Sequence, residues 1–155
     1  MSDLWPGMSQ AEWEYVRRYV DDLQMRLGLP HWTIDLQRMP VEDDLWGKFS
    51  AVDGRDYGKL FLCEDWAHRS AKQKRETLVH ELLHAALNEL RVCTRGALEK
   101  VIAPGWFGPV ETVLNEIEER TIERMTVGLA PQMPRYVFKV SEKRRHRRAV
   151  KRKAK

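Results

Sequence analysis

Three residues carry chemistry most plainly: His80, Glu81 and His84, in the string VHELLH. If the string is helical, residues four apart stand one turn apart on the same face, so both imidazoles can reach one metal ion without distorting the backbone. Imidazole is a common zinc ligand, and a carboxylate beside the first ligand is placed to take a proton from water on that ion. Zinc lowers the pKa of such a water to about 7, giving a nucleophile at neutral pH. Glu81 would then deliver the proton to a leaving amine. The competing reading is two core histidines bonded to backbone carbonyls and a glutamate facing solvent. The surroundings argue for the metal. Leu78, Val79, Leu82, Leu83, Ala86, Leu87 and Leu90 flank the string, and burying two histidines and a carboxylate without partners is costly.

The helix that must hold these residues opens at Ser70, with Gln73 completing a capping box, and runs to about Leu90. Cys93–Pro109 contains Gly96, Pro104, Gly105, Gly108 and Pro109, which predicts an irregular crossover loop. A further helix is expected from about Val110 to Leu129, stopping near Gly128 and Pro131. Upstream, Ser9 and Glu12 predict another capping box, and Val16, Val20, Leu23 and Leu27 repeat at helical spacing until Gly28 and Pro30. Trp32–Leu36, Lys48–Val52 and Lys59–Cys63 are strand candidates bounded by Pro, Gly or Asp, with a turn signal at Asp53-Gly54. Residues 135–140 could add one more strand. The order of helix, strands, helix, helix predicts an α+β fold with a small, mostly antiparallel sheet.

The stretch ETLVHELLHAAL resembles the active-site helix of the zincin metallopeptidases, closest to minimal intracellular or phage-encoded zincins and to SprT-like proteases. The resemblance spans roughly residues 30–130 and is sharp in the HELLH motif. It implies a minimal zincin-like domain, Zn2+ as cofactor and a polypeptide substrate. It also implies an edge strand beside the cleft, matched here to GKLFLC ahead of the helix. Metzincins place a third histidine shortly after the second, where this chain has Leu87, Asn88 and Glu89. SprT-like proteases use a later histidine in an HG-containing loop, where it reads APGWFGP. The one histidine after His84 is His146. The resemblance then leaves the gluzincin solution, a glutamate from the next helix.

That helix offers Glu111, Glu116, Glu118, Glu119 and Glu123. At 100° per residue, Leu114, Ile117, Thr121, Ile122 and Met125 form one apolar arc, and Glu118 falls inside it. Burial therefore favours Glu118 as third ligand, because a carboxylate in a buried stripe needs a partner. Glu119 is the alternative. With Glu123 it forms an acid-x-x-x-acid pair, resembling the gluzincin pattern in which one carboxylate binds zinc and the next orients a ligand histidine.

The rest of the chain bounds the setting. It has 155 residues, 43% hydrophobic and 32% charged, one globular domain's worth. No apolar run approaches a membrane span. The acidic, aromatic N-terminus does not read as a secretory signal, so a cytoplasmic monomer with free Cys63 and Cys93 is expected. Both cysteines read as packing residues, and His31 and His68 as exposed ones. Trp106 and Phe107 could wall a substrate pocket; the core is the preferred place. Residues 143–155, KRRHRRAVKRKAK, hold nine of the 27 Lys and Arg, leaving 18 against 23 acidic residues and a net charge of −5 in residues 1–142. A domain over 1–142 with a basic, disordered tail is predicted. The tail is suited to nucleic-acid phosphates, though without aromatics for stacking.

The expected protein is thus a zinc metallopeptidase with His80, His84 and Glu118 as ligands, Glu81 as general base, and substrate along Lys59–Cys63. Two alternatives stand beside it. One is a SprT-like protease brought to nucleic acid by the tail. The other is a zincin-fold binding or regulatory protein with a structural metal.

Overall fold

Ser9 starts the first helix as its type predicts: its side chain accepts the Glu12 N–H at 3.1 Å, and α1 runs Gln10–Arg26. These features come from a computed structural model that describes residues 8–37, 45–52 and 54–138. The reciprocal half of the capping box is not made. Glu12 is buried, and its carboxylate accepts from the buried Lys74 ammonium at 2.7 Å. A buried carboxylate gains more from a charged donor than from one backbone N–H. Val16, Val20 and Leu23 face the core, and Gly28, at φ +74°, takes the left-handed conformation that ends the helix.

Three strands follow: β1 Thr33–Gln37, β2 Gly47–Ala51 and β3 Tyr57–Leu62. The sheet is mixed rather than mostly antiparallel, in the order β1-β3-β2. β2 pairs antiparallel with β3, Gly47 opposite Leu62, whereas β1 pairs parallel with β3, Thr33 opposite Tyr57. The chain leaves β1, crosses to the far edge as β2 and returns in the middle, so β3 runs in the direction of β1. Gly58 on β3 has no side chain because the Phe49 ring of β2 lies over it.

The second helix, α2, spans Ala71–Val101, with the Ser70/Gln73 capping box complete. The third, α3, spans Pro104–Leu129. Most of the loop expected over Cys93–Pro109 is therefore helical. Pro104 falls in the first turn of α3, where its missing N–H costs nothing. Pro109 is carried inside α3, and Gly96 inside α2. Both helices are anchored at one end only. Asn88 is the last buried residue of α2 and Ile122 the first of α3, with none buried over 89–121. The intervening hairpin stands off the core. Trp106 is 69% exposed on it, against the expected core position, and Cys93 is exposed as well; Cys63 is buried.

Trp66, Leu23, Leu60, Leu62, Leu78, Leu82 and Ile122 form the centre of the core. Residues 134–138 are not a strand. Tyr136 instead packs edge-on against Tyr15, Tyr19 and Trp66. Residues 139–140 of the expected strand and the tail 143–155 lie outside the described residues. No described helix is long and apolar enough to cross a membrane.

Candidate metal centre

The apolar face of α2 fixes its orientation. Leu78, Val79, Leu82 and Leu83 must be buried, and all four are. That turns His80 and His84 to the flank facing α3, half-buried, with ring centroids 5.2 Å apart. From α3, Glu119 reaches both. Its Oε2 lies 3.5 Å from His80 Nε2 and its Oε1 3.4 Å from His84 Nε2. One ligand atom from each of the three residues falls within 4.8 Å of the others, close enough to share one cation.

Glu118 is held differently. Its Oε1 lies 3.2 Å from Nδ1 of His84, the ring nitrogen away from Glu119. A carboxylate there fixes Nδ1 as the donor and leaves Nε2 as the ligand atom. The sequence argument favoured Glu118 as third ligand; the carboxylate that converges on both Nε2 atoms belongs to Glu119. The reason is the rotation of α3. Its buried line runs through Ile122 and Thr126, while Ile117, counted in the apolar arc, is 53% exposed. Glu118 is still the more buried, with 16% of its side chain exposed against 53% for Glu119.

Glu81 is buried between α2 and β2 and accepts a hydrogen bond from the Phe49 N–H. Gly47 permits this approach: a Cβ there would lie 2.9 Å from Thr77 Cγ2 and 3.0 Å from Glu81 Cγ. Burial pushes the Glu81 carboxyl up to about 7, against the opposing effects of the nearby His84 charge and the Phe49 N–H. Burial and the charge of His84 lower the pKa of His80, which keeps it neutral as a ligand must be. Burial lowers His84 too, but the Glu118 hydrogen bond and the charges of Glu81 and Glu119 outweigh it, so His84 is raised.

The donor set is two imidazole nitrogens and one carboxylate. Three protein ligands with an open side is the composition of hydrolytic zinc sites, so these residues fit a divalent ion.

The strand beside the site is β2. Lys59–Cys63, expected to be the edge, overlaps β3, which is paired on both sides. The Val52 N–H bonds to Tyr57 O and the Trp46 carbonyl accepts from Cys63 N–H. By alternation, Gly47, Phe49 and Ala51 turn their backbone groups away from β3. At the Ala51 end, Phe49, Ser50, Ala51, His84, Asn88 and Arg91 line a polar pocket of about 120 Å³. Sequence reading missed Gly47, Phe49, Asn88 and Arg91. The last two were legible in principle, since they stand four and seven residues after His84 on the same helix face.

No family model matches this chain, and neither does any curated protein or solved structure.

Proposed function

We propose that the protein is a metal-dependent peptidase of zincin type, with His80, His84 and Glu119 as ligands, Glu118 as the group that orients His84, and Glu81 as general base. The observation that carries this reading is the convergence of two imidazoles and a carboxylate beside a buried glutamate whose pKa stands near neutrality. A bound divalent ion would supply a Lewis acid and acidify its water. Glu81, held by Phe49 N–H, takes a proton from the attacking water and gives it to the departing amine. The ionised carboxylate accepts the first proton, and the acid so formed is the donor to the amine. Edge strand β2 receives the substrate backbone as an added strand through the outward Phe49 carbonyl and the outward groups of Ala51, the Phe49 N–H being held by Glu81. Extended polypeptide is therefore the substrate class.

The test is metal analysis together with cleavage of an unfolded polypeptide. One zinc per chain and hydrolysis that a chelator abolishes and zinc restores are expected. Bound zinc with no hydrolysis would instead favour a structural metal in a binding protein. A narrower version of the peptidase reading, recruitment to nucleic acid, draws its support from the charge contrast between residues 1–142 and 143–155.

A further inference from the structure

The polar pocket beside His84 has a one-sided chemistry. Its polar side chains are the Arg91 guanidinium, the Asn88 amide, the Ser50 hydroxyl and the His84 imidazole; no carboxylate lines it. Arg91 Nη2 donates to Asn88 Oδ1 at 3.3 Å. That contact steadies the guanidinium and uses one of its five N–H donors, and it turns the Asn88 amide nitrogen free of that bond. Among the described residues no carboxylate forms an ion pair with Arg91. At about 120 Å³ the pocket has room for roughly four waters at ~30 Å³ each, which is also the scale of a carboxylate on a short stem. A planar anion in reach of a guanidinium gains a bidentate, charge-assisted pair.

The pocket's place ties it to the proposed reaction. It opens where β2 ends, at Ser50 and Ala51, and shares His84 with the metal site. A strand added along β2 sends alternate side chains to one face, so one substrate position next to the scissile bond points into it. We propose that Arg91, held by Asn88, selects a carboxylate in this pocket, so that the preferred substrates are peptides that present a carboxylate there. The carboxylate comes either from a Glu or Asp side chain or from a free C-terminus. The inference rests on the peptidase reading for its link to cleavage, but not for the binding of the carboxylate.

The experiment uses full-length, zinc-loaded protein and three acetylated peptides of otherwise equal neutral sequence. One carries Glu and an amidated end, one Gln and an amidated end, and one Gln and a free carboxylate. Cleavage is followed in the parent, and binding by calorimetry in Glu81→Gln, where turnover is blocked. Arg91→Gln and Arg91→Lys are then made in both; Arg91 is exposed, so neither removes core packing. At least one carboxylate peptide is expected to bind and to be cleaved roughly tenfold or more better than the neutral one. That preference should vanish in Arg91→Gln and partly return in Arg91→Lys. Which of the two peptides shows it identifies the source of the carboxylate. Cleavage with no carboxylate preference, or with one that survives Arg91→Gln, overturns the inference and leaves the peptidase reading standing. Arg91-dependent binding without chelator-sensitive cleavage keeps the carboxylate site and removes the peptidase reading. Equal binding of all three peptides overturns the site itself.

Discussion

Glu81→Gln separates the two roles of a buried acid. In the metal-free protein burial holds the Glu81 carboxyl at about 7, against 4.5 for an unburied glutamate. The unfolded chain therefore ionises first. Below pH 4.5 both states are protonated and the group is neutral toward stability. Between 4.5 and 7 the folded state loses ground as pH rises, and above 7 the full penalty applies. A gap of about 2.5 pH units at 1.36 kcal/mol each corresponds to about 3 kcal/mol. Glutamine keeps the shape and an oxygen for Phe49 N–H but never ionises. Metal-free Glu81→Gln should therefore match the parent near pH 4.5 and exceed it by about 3 kcal/mol at pH 8, roughly 10 °C in midpoint for a chain of this size. Urea unfolding in chelator, from pH 4.5 to 9, reads this directly. Zinc should narrow the gap, because a cation beside Glu81 favours the carboxylate. Peptide hydrolysis by the zinc-loaded variant should be nearly abolished. A stability difference that is flat with pH, or a variant less stable than the parent at pH 8, would refute the account of Glu81 as a buried, reluctant anion.

Exchanging the roles of the two α3 carboxylates gives the next prediction. Glu119→Ala should reduce zinc affinity more than 100-fold, and Glu118→Ala by about 10–100-fold with one ion still bound at saturation. Competition against a chromophoric chelator measures both, and the reverse order would return the ligand role to Glu118. Gly47→Ala should cost about 1–3 kcal/mol and lower turnover, since its Cβ must push β2 away from Thr77 and Glu81; parent-like stability in chemical denaturation would contradict the tight approach. Deleting residues 143–155 takes the net charge from +4 to −5. It should leave the unfolding midpoint unchanged while weakening nucleic-acid binding in a salt-dependent way; unaltered binding would move the contact to another part of the chain.

Much of the fold was legible because it rests on local rules. Ser9 and Ser70 cap helices where their spacing to Glu12 and Gln73 says they should, and all three strand centres lie where β-formers stand between breakers. The misreadings share a cause, which is tertiary context. Glu12 deserts its capping box for Lys74, 62 residues away. The glycines and prolines over 93–109 read as a loop, yet Pro104 falls in a first turn, where proline is harmless. Strand order is not local either. Nothing in GKLFLC distinguishes a central strand from an edge, and the edge beside the histidines is Gly47–Ala51 instead.

On α3, burial and convergence on the two histidines select different carboxylates. A carboxylate inside an apolar stripe needs a partner, and Glu118 has one in Nδ1 of His84; the argument identified a bonded glutamate without identifying its role. In the proposed reaction the ligand must also face the side from which water and substrate arrive, so it must stay partly exposed. Glu119, 53% exposed and within 3.5 Å of both Nε2 atoms, meets that condition. Two adjacent glutamates lie about 100° apart on a helix, enough to put one behind a histidine and the other across the cleft from it. Adjacent carboxylates so divided can serve one ion together, the outer one holding it and the inner one fixing the tautomer of its ligand.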